Sequence, residues 1–181
     1  MTDTIPGNAG TTAASTRTVD IEFLYIDLDT CRRCGGTDKS LDEAIALARP
    51  TLAAAGIGLT LTKTLIETSA QAAEYQLMSS PTIRIGGVDI AGELVESNCG
   101  DCGALSACGD STDCRVWQYR GAEYSAAPTG LVVEAVMAAA VGVTPEAEPY
   151  PGLPENLERF FDGSTSAVND ESDCGCGPDC S

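Results

Sequence analysis

Histidine is absent from the 181 residues. That removes every His-containing triad, every imidazole metal ligand and every histidine general base. Basic residues are scarce as well: 10 Lys and Arg stand against 27 Asp and Glu, for a formal net charge of −17. Phosphate binding needs clustered Lys and Arg, so neither nucleic acid nor an anionic membrane is an expected partner. The acidic surplus is read as solubility, suited to a salty cytoplasm, and says little about a reaction. No apolar run approaches the roughly 20 residues that span a bilayer. Residues 1–17, rich in Thr, Ala and Gly, lack the basic start and apolar stretch of a secretory signal. They are expected to form a disordered leader, and the expected location is the cytoplasm, where thiols are kept reduced.

What the chain has in quantity is cysteine, with nine residues. An odd number cannot pair fully within one molecule, and a purely structural disulfide framework fits poorly with a reducing compartment. The available chemistry is therefore that of thiols, carboxylates, hydroxyls and lysine. The cysteines fall in three groups: Cys31 and Cys34; then Cys99, Cys102, Cys108 and Cys114; then Cys174, Cys176 and Cys180.

Alternation of Val19, Ile21, Phe23 and Tyr25 predicts a first strand over 18–26. The Cys31–Cys34 pair follows in a loop containing Gly35 and Gly36. Ser40 with Glu43 three residues on is a capping-box signature, so the first helix is expected to start there. It runs through Leu41, Ala44, Ile45, Ala48 and Leu52, with Pro50 expected to kink or interrupt it. A second strand is expected over 59–66, a short helix over 68–77, and a third strand over 82–85 directly after Ser80-Pro81. Gly86-Gly87 predicts a hairpin into a strand over 88–91. An Ala- and Val-rich helix follows over 128–141. Residues 93–127 form an insertion whose VWQYRGAEY stretch suggests a small hairpin around Gly121. Residues 143–163 read as a linker with a short amphipathic helix over 153–161, docking on the domain. Residues 164–181 read as a flexible tail.

The order β-α-β-α-β-β-α, the Cys31-Arg32-Arg33-Cys34 pair after the first strand, Pro81 opening the third strand and the Gly-Gly hairpin together resemble the thioredoxin-like superfamily. The domain is read as 18–142, and the resemblance covers roughly residues 18–141. It is strongest to a cysteine-rich thioredoxin-like family described only as a domain of unknown function. The expected fold is therefore α/β, thioredoxin-like, with a Cys-rich insertion before the last helix. The resemblance implies that Pro81 is in the cis form. It also implies Cys31 as an exposed nucleophile, Cys34 as the resolving thiol, and a substrate groove bordered by Arg32, Arg33, Ser80 and Pro81. The two arginines add positive charge that favours a Cys31 thiolate. A late helix start would weaken the dipole contribution to the same end.

Each thiol group carries more than one reading. Cys31 and Cys34 suit disulfide exchange, half of a zinc site, or soft-metal binding. Cys99, Cys102, Cys108 and Cys114 are spaced to close a tetrahedral zinc site, which would order an insertion whose main large apolar residues are Leu105, Val116 and Trp117. Two disulfides, a thiol relay or an iron–sulfur cluster are the other readings of that group. Cys174, Cys176 and Cys180 suit copper(I), mercury(II) or arsenic(III), or else form a dispensable end with oxidisable thiols. The resulting expectation is a thiol–disulfide oxidoreductase, set in heavy-metal or arsenic stress. The alternatives are a soft-metal or metalloid (Hg, As, Cu, Zn) binding or transfer protein without turnover, and an interaction protein whose insertion is held by zinc. Zinc is the candidate cofactor, and protein thiols or soft ions are the candidate partners.

Overall fold

The computed structural model describes residues 17–103, 105 and 112–166, with side chains through Asp162. Among these residues the chain is a mixed α/β protein with two sheets and five helices. The expected leader apart from Arg17, and the expected tail from residue 167 on, lie outside the described residues, as does Cys108. Arg17 itself is tied down, its guanidinium donating to the Ala140 carbonyl at 2.9 Å.

The first sheet is built from β1 (Thr18–Tyr25), β2 (Gly58–Leu65), β3 (Thr82–Ile85) and β4 (Val88–Asp89), in the order β2-β1-β3-β4. β1 runs parallel to β2, Thr18 facing Gly58, and antiparallel to β3, Ile21 facing Ile85. The parallel pair needs a crossover, and α1 (Arg32–Ala54) supplies it. The antiparallel β3–β4 pair needs only the two-residue Gly86-Gly87 turn. Both glycines have positive φ, as that hairpin geometry requires.

Side-chain parity along β1 sorts the interior into two cores. Val19, Ile21 and Phe23 point to one face, where α1 and α4 (Thr129–Ala140) bring Leu41, Ile45, Leu52, Val132 and Val136 against them. Leu24 and Ile26 have the opposite parity and join a second cluster. That cluster holds Ile66, Leu77 and Ala72 of α2 (Ser69–Glu74), with Leu157, Phe160 and Phe161 of α5 (Glu155–Ser166). The amphipathic helix expected over 153–161 is thus present, displaced to 155–166, and it docks by burying those three apolar residues.

Two local expectations are corrected. The first helix starts at Arg32 rather than Ser40, because Cys31 is its N-cap. Gly35 and Gly36 are helical. A Cβ on Gly35 would lie 3.1 Å from the Leu28 carbonyl, and one on Gly36 would lie 3.0 Å from Ala126 Cβ. These glycines permit close packing and do not break the helix. The helix also continues past Pro50 to Ala54.

The insertion forms its own sheet from β5 (Val95–Asn98), β6 (Asp113–Tyr119) and β7 (Ala122–Tyr124), with the short helix α3 (Gly100–Gly103) after β5. The expected aromatic hairpin is there: Trp117 faces Tyr124, and the turn residues Arg120 and Gly121 both have positive φ. The insertion does not stand apart from the domain. Trp117, fully buried, belongs to the core of the first sheet. Among the described residues no helix is long and apolar enough to cross a membrane.

Candidate thiolate site

Cys31 is placed by the turn before it and the helix after it. The Asp27 carboxylate accepts the backbone N–H groups of Thr30 and Cys31, the latter at 3.0 Å. The Cys31 sulfur in turn accepts the backbone N–H of Cys34 at 3.5 Å. It therefore sits at the positive end of a 23-residue helix, where the orphan amide groups and the macrodipole favour an anion.

Three more cysteines come from the insertion. Cys99 follows β5, and its carbonyl accepts the N–H of Gly103, which folds the chain back so that Cys102 stands one turn away. Cys114 lies on β6, opposite Ser97 of β5. The sulfurs of Cys31, Cys99, Cys102 and Cys114 all lie within 4.8 Å of one another, and all four residues are buried. Cys114 donates to Cys102 at 3.1 Å, and Cys102 donates to Cys31 at 3.3 Å. All five described cysteines carry free thiols.

Cys34 is fully buried beside this group, its sulfur 3.5 Å from the Ser80 hydroxyl. The Ser80–Pro81 peptide bond is cis, and Ser80 also receives the Ile26 N–H on its hydroxyl and the Arg115 N–H on its carbonyl. Ser80 and Pro81 thus lie at the Cys34 side of the cluster.

The thiols polarise one another. Hydrogen bonds from Cys102, then Cys114 and Cys34, hold the Cys31 thiol far below its ordinary range, against the effect of burial. Cys34 is pushed up, first by its hydrogen bond to Cys31 and then by burial, with Ser80 opposing. Cys114 is pushed up by its hydrogen bonds to Cys102 and Cys31 and by burial. For Cys102 the largest influence, the bond from Cys114, acts downward; the Cys31 hydrogen bond and burial outweigh it, and that thiol too is raised. These contacts favour the ionised form at the helix-capping sulfur over Cys34, Cys102 and Cys114.

What holds the Cys31 thiol below Cys34 is first the neighbouring thiols, rather than the arginines expected to do so, although Arg32 also attracts the Cys31 sulfur. Arg32 turns to Asp101, making two side-chain hydrogen bonds at 3.0 and 3.1 Å. Arg33 reaches across to the insertion, donating to the carbonyls of Cys114 at 2.8 Å and Asn98 at 2.9 Å and to the Ser97 hydroxyl at 2.9 Å. The two arginines act as clasps on the insertion. The expected exposure of Cys31 is also corrected: the residue is 1 % exposed, covered by the insertion thiols.

Three of the four expected insertion ligands converge, and Cys31 occupies the remaining corner. Cys108, Cys174, Cys176 and Cys180 lie outside the described residues. The sequence separation of 68 positions between Cys31 and Cys99 hides their meeting. Asp27 and Asp101 were the other residues not anticipated. The Asp27-Leu-Asp-Thr-Cys31 spacing, suited to an Asx-type turn, is a usable signal for the first.

No curated protein and no solved structure matches the chain. Residues 19–136 match the family described as Domain of unknown function (DUF2703), and the chain belongs to that family.

Proposed function

We propose that the protein binds one soft, thiophilic metal ion through Cys31, Cys99, Cys102 and Cys114. The observation that carries this reading is the convergence of four buried sulfurs within 4.8 Å. An all-sulfur tetrad of this size suits a single tetrahedral ion such as zinc(II), whose bonds to sulfur are about 2.3 Å long. A multi-iron cluster needs its cysteines spread around several metal atoms, which the compact tetrad does not favour. Four thiolates would carry more negative charge than one divalent ion neutralises. The α1 N-terminus and the Arg33 guanidinium are placed to offset part of the excess. The ion would link α1 to the insertion, because one ligand comes from the former and three from the latter.

A second reading, thiol–disulfide exchange by Cys31 and Cys34, is favoured by a specific arrangement. The strand order β2-β1-β3-β4, the CxxC pair at the start of α1 and the cis Ser80–Pro81 bond support a thioredoxin-like domain. It ranks second because exchange needs an accessible attacking sulfur, and Cys31 is buried under the insertion.

Purified full-length protein offered zinc(II) should take up about one equivalent per chain, with a sulfur-only shell near 2.3 Å in X-ray absorption. Cys114→Ser should weaken binding by more than the roughly 10–100-fold that an outer-shell change costs. Cys108→Ser, and the triple change C174S/C176S/C180S, should leave this site intact. Binding that survives Cys31→Ser and Cys114→Ser but disappears with the tail cysteines would refute the assignment.

A further inference from the structure

Among the described cysteines, Cys34 is the one outside the tetrad, yet it stands one helical turn from the ligand Cys31 and its backbone N–H donates to the Cys31 sulfur at 3.5 Å. A four-coordinate site has no use for a fifth thiol. We propose that Cys34 is the redox release partner of the metal site: a hydroperoxide oxidises Cys31, Cys34 closes a disulfide onto it, and the ion is released. The proposal rests on the metal-binding reading above.

The chemistry balances with the hydroperoxide as sole oxidant. The Cys31 thiolate attacks the terminal O–H oxygen of the peroxide; the S–O bond forms, the O–O bond and the bond from sulfur to the ion break, and hydroxide (from hydrogen peroxide) or alkoxide (from an alkyl hydroperoxide) leaves with the electron pair. Cys31 is then a sulfenic acid. The Cys34 sulfur attacks the Cys31 sulfur; the S–S bond forms, the S–O bond breaks, and the oxygen departs as water with the Cys34 proton. Two thiols have lost two electrons and the peroxide has gained them. The ion is left on three thiolates, a weaker set from which the chelator withdraws it, and its former fourth ligand is tied into a disulfide within α1.

Three features favour this pair and this oxidant. Cys31 is 1 % exposed, which admits a small hydroperoxide more readily than a bulky disulfide. While Cys99, Cys102 and Cys114 are engaged with the ion, the Cys34 thiol is free to condense. Finally, Cys31 and Cys34 belong to one helix start, so their linkage needs no movement of the insertion, whereas pairing with Cys102 or Cys114 would cross between elements.

The test uses the full-length protein loaded with zinc(II), treated with hydrogen peroxide in the presence of a chromogenic zinc chelator, then alkylated and digested with trypsin. Cleavage after Arg32 and Arg33 separates Cys31 from Cys34, so their disulfide appears as a cross-linked peptide pair. Zinc release should track that cross-link, and dithiothreitol should restore zinc binding. Cys34→Ser, with Cys34→Ala as a second variant that keeps the site apolar, should bind zinc with unchanged stoichiometry. Under peroxide it should accumulate Cys31 sulfinic acid and lose the recovery by dithiothreitol. Failure to take up zinc before any peroxide would overturn the metal reading and this proposal together. Normal uptake overturns the proposal alone if the native cross-link joins Cys31 to Cys99, Cys102 or Cys114, or if both Cys34 variants recover zinc as fully as the native protein.

Discussion

Taking a guanidinium out of water costs several kcal/mol, and Arg115 is 2 % exposed. Its compensation is specific. The Asp89 carboxylate accepts two of its N–H groups at 2.8 and 3.3 Å, Thr82 accepts another at 3.0 Å, and the Trp117 ring lies 5.3 Å away. With its backbone N–H on the Ser80 carbonyl, this one residue fastens β6 to β4 and to the loop beside Cys34. Arg115→Met should destabilise the protein by about 2–3 kcal/mol in urea unfolding. That is less than the 3–5 kcal/mol for breaking a fully buried pair, because the Asp89 side chain keeps a third of its exposure. A change below about 0.5 kcal/mol would mean that Arg115 contributes little to holding the insertion. At this scale the sequence names chemical types and conceals partners. Cysteine as the residue of the candidate site was legible from its abundance beside the absence of histidine. The Arg115–Asp89 pair and the place of Cys31 in the tetrad were not, because each joins residues whose contact exists only after the sheets have packed.

Elements were more legible than their ends. The alternation of Val19, Ile21 and Phe23 marks β1, and the apolar spacing from Leu41 to Leu52 marks the body of α1, since both patterns follow from which face is buried. The start of α1 lies earlier than its sequence suggests because Gly35 and Gly36 have two physical uses, to break a helix or to let another segment approach, and their identity does not distinguish them. The early start has a consequence for Arg32 and Arg33. On the first turn of α1 they point to different partners, and their clasps differ in strength. Arg33 donates to four backbone carbonyls and a hydroxyl across β5 and β6. Arg32 is 89 % exposed and pairs with one carboxylate. Arg33→Met should therefore weaken zinc binding by about tenfold in chelator competition, as loss of an outer-shell support does. Arg32→Ala should change stability by no more than about 0.5 kcal/mol and zinc affinity by no more than about twofold. Equal effects from the two substitutions would contradict this division.

For the whole molecule, the alternating order of strands and helices could be read because each element carries its own periodicity and its own turn residues. In the insertion's sheet the β6–β7 hairpin could be read as well, but the addition of β5 could not, since β5 and β6 pair across a segment with no pattern that announces the pairing. Nor could the burial of Trp117 in the main core, which makes the insertion depend on the domain as well as on its thiols. The two cores should therefore respond differently to metal removal. The first, between the sheet and α1 and α4, contains no cysteine; the second contains all five described cysteines together with Leu157, Phe160 and Phe161. A metal present at 1,000 times its Kd adds about 4 kcal/mol to stability. At roughly 2–4 °C per kcal/mol for a chain of this size, chelation should lower Tm by about 8–16 °C. Hydrogen exchange should localise the loss. Amides of Cys99 to Gly103, of β5 and β6 near Cys114, and of α5 should lose protection first, because their packing converges on the tetrad. Amides of β1, β3, α4 and the Leu41–Leu52 part of α1 should keep theirs, held by apolar contacts that no ion supports. Uniform loss of protection would mean that the ion is integral to the whole fold, and an unchanged Tm would mean that the tetrad carries no metal-linked stability.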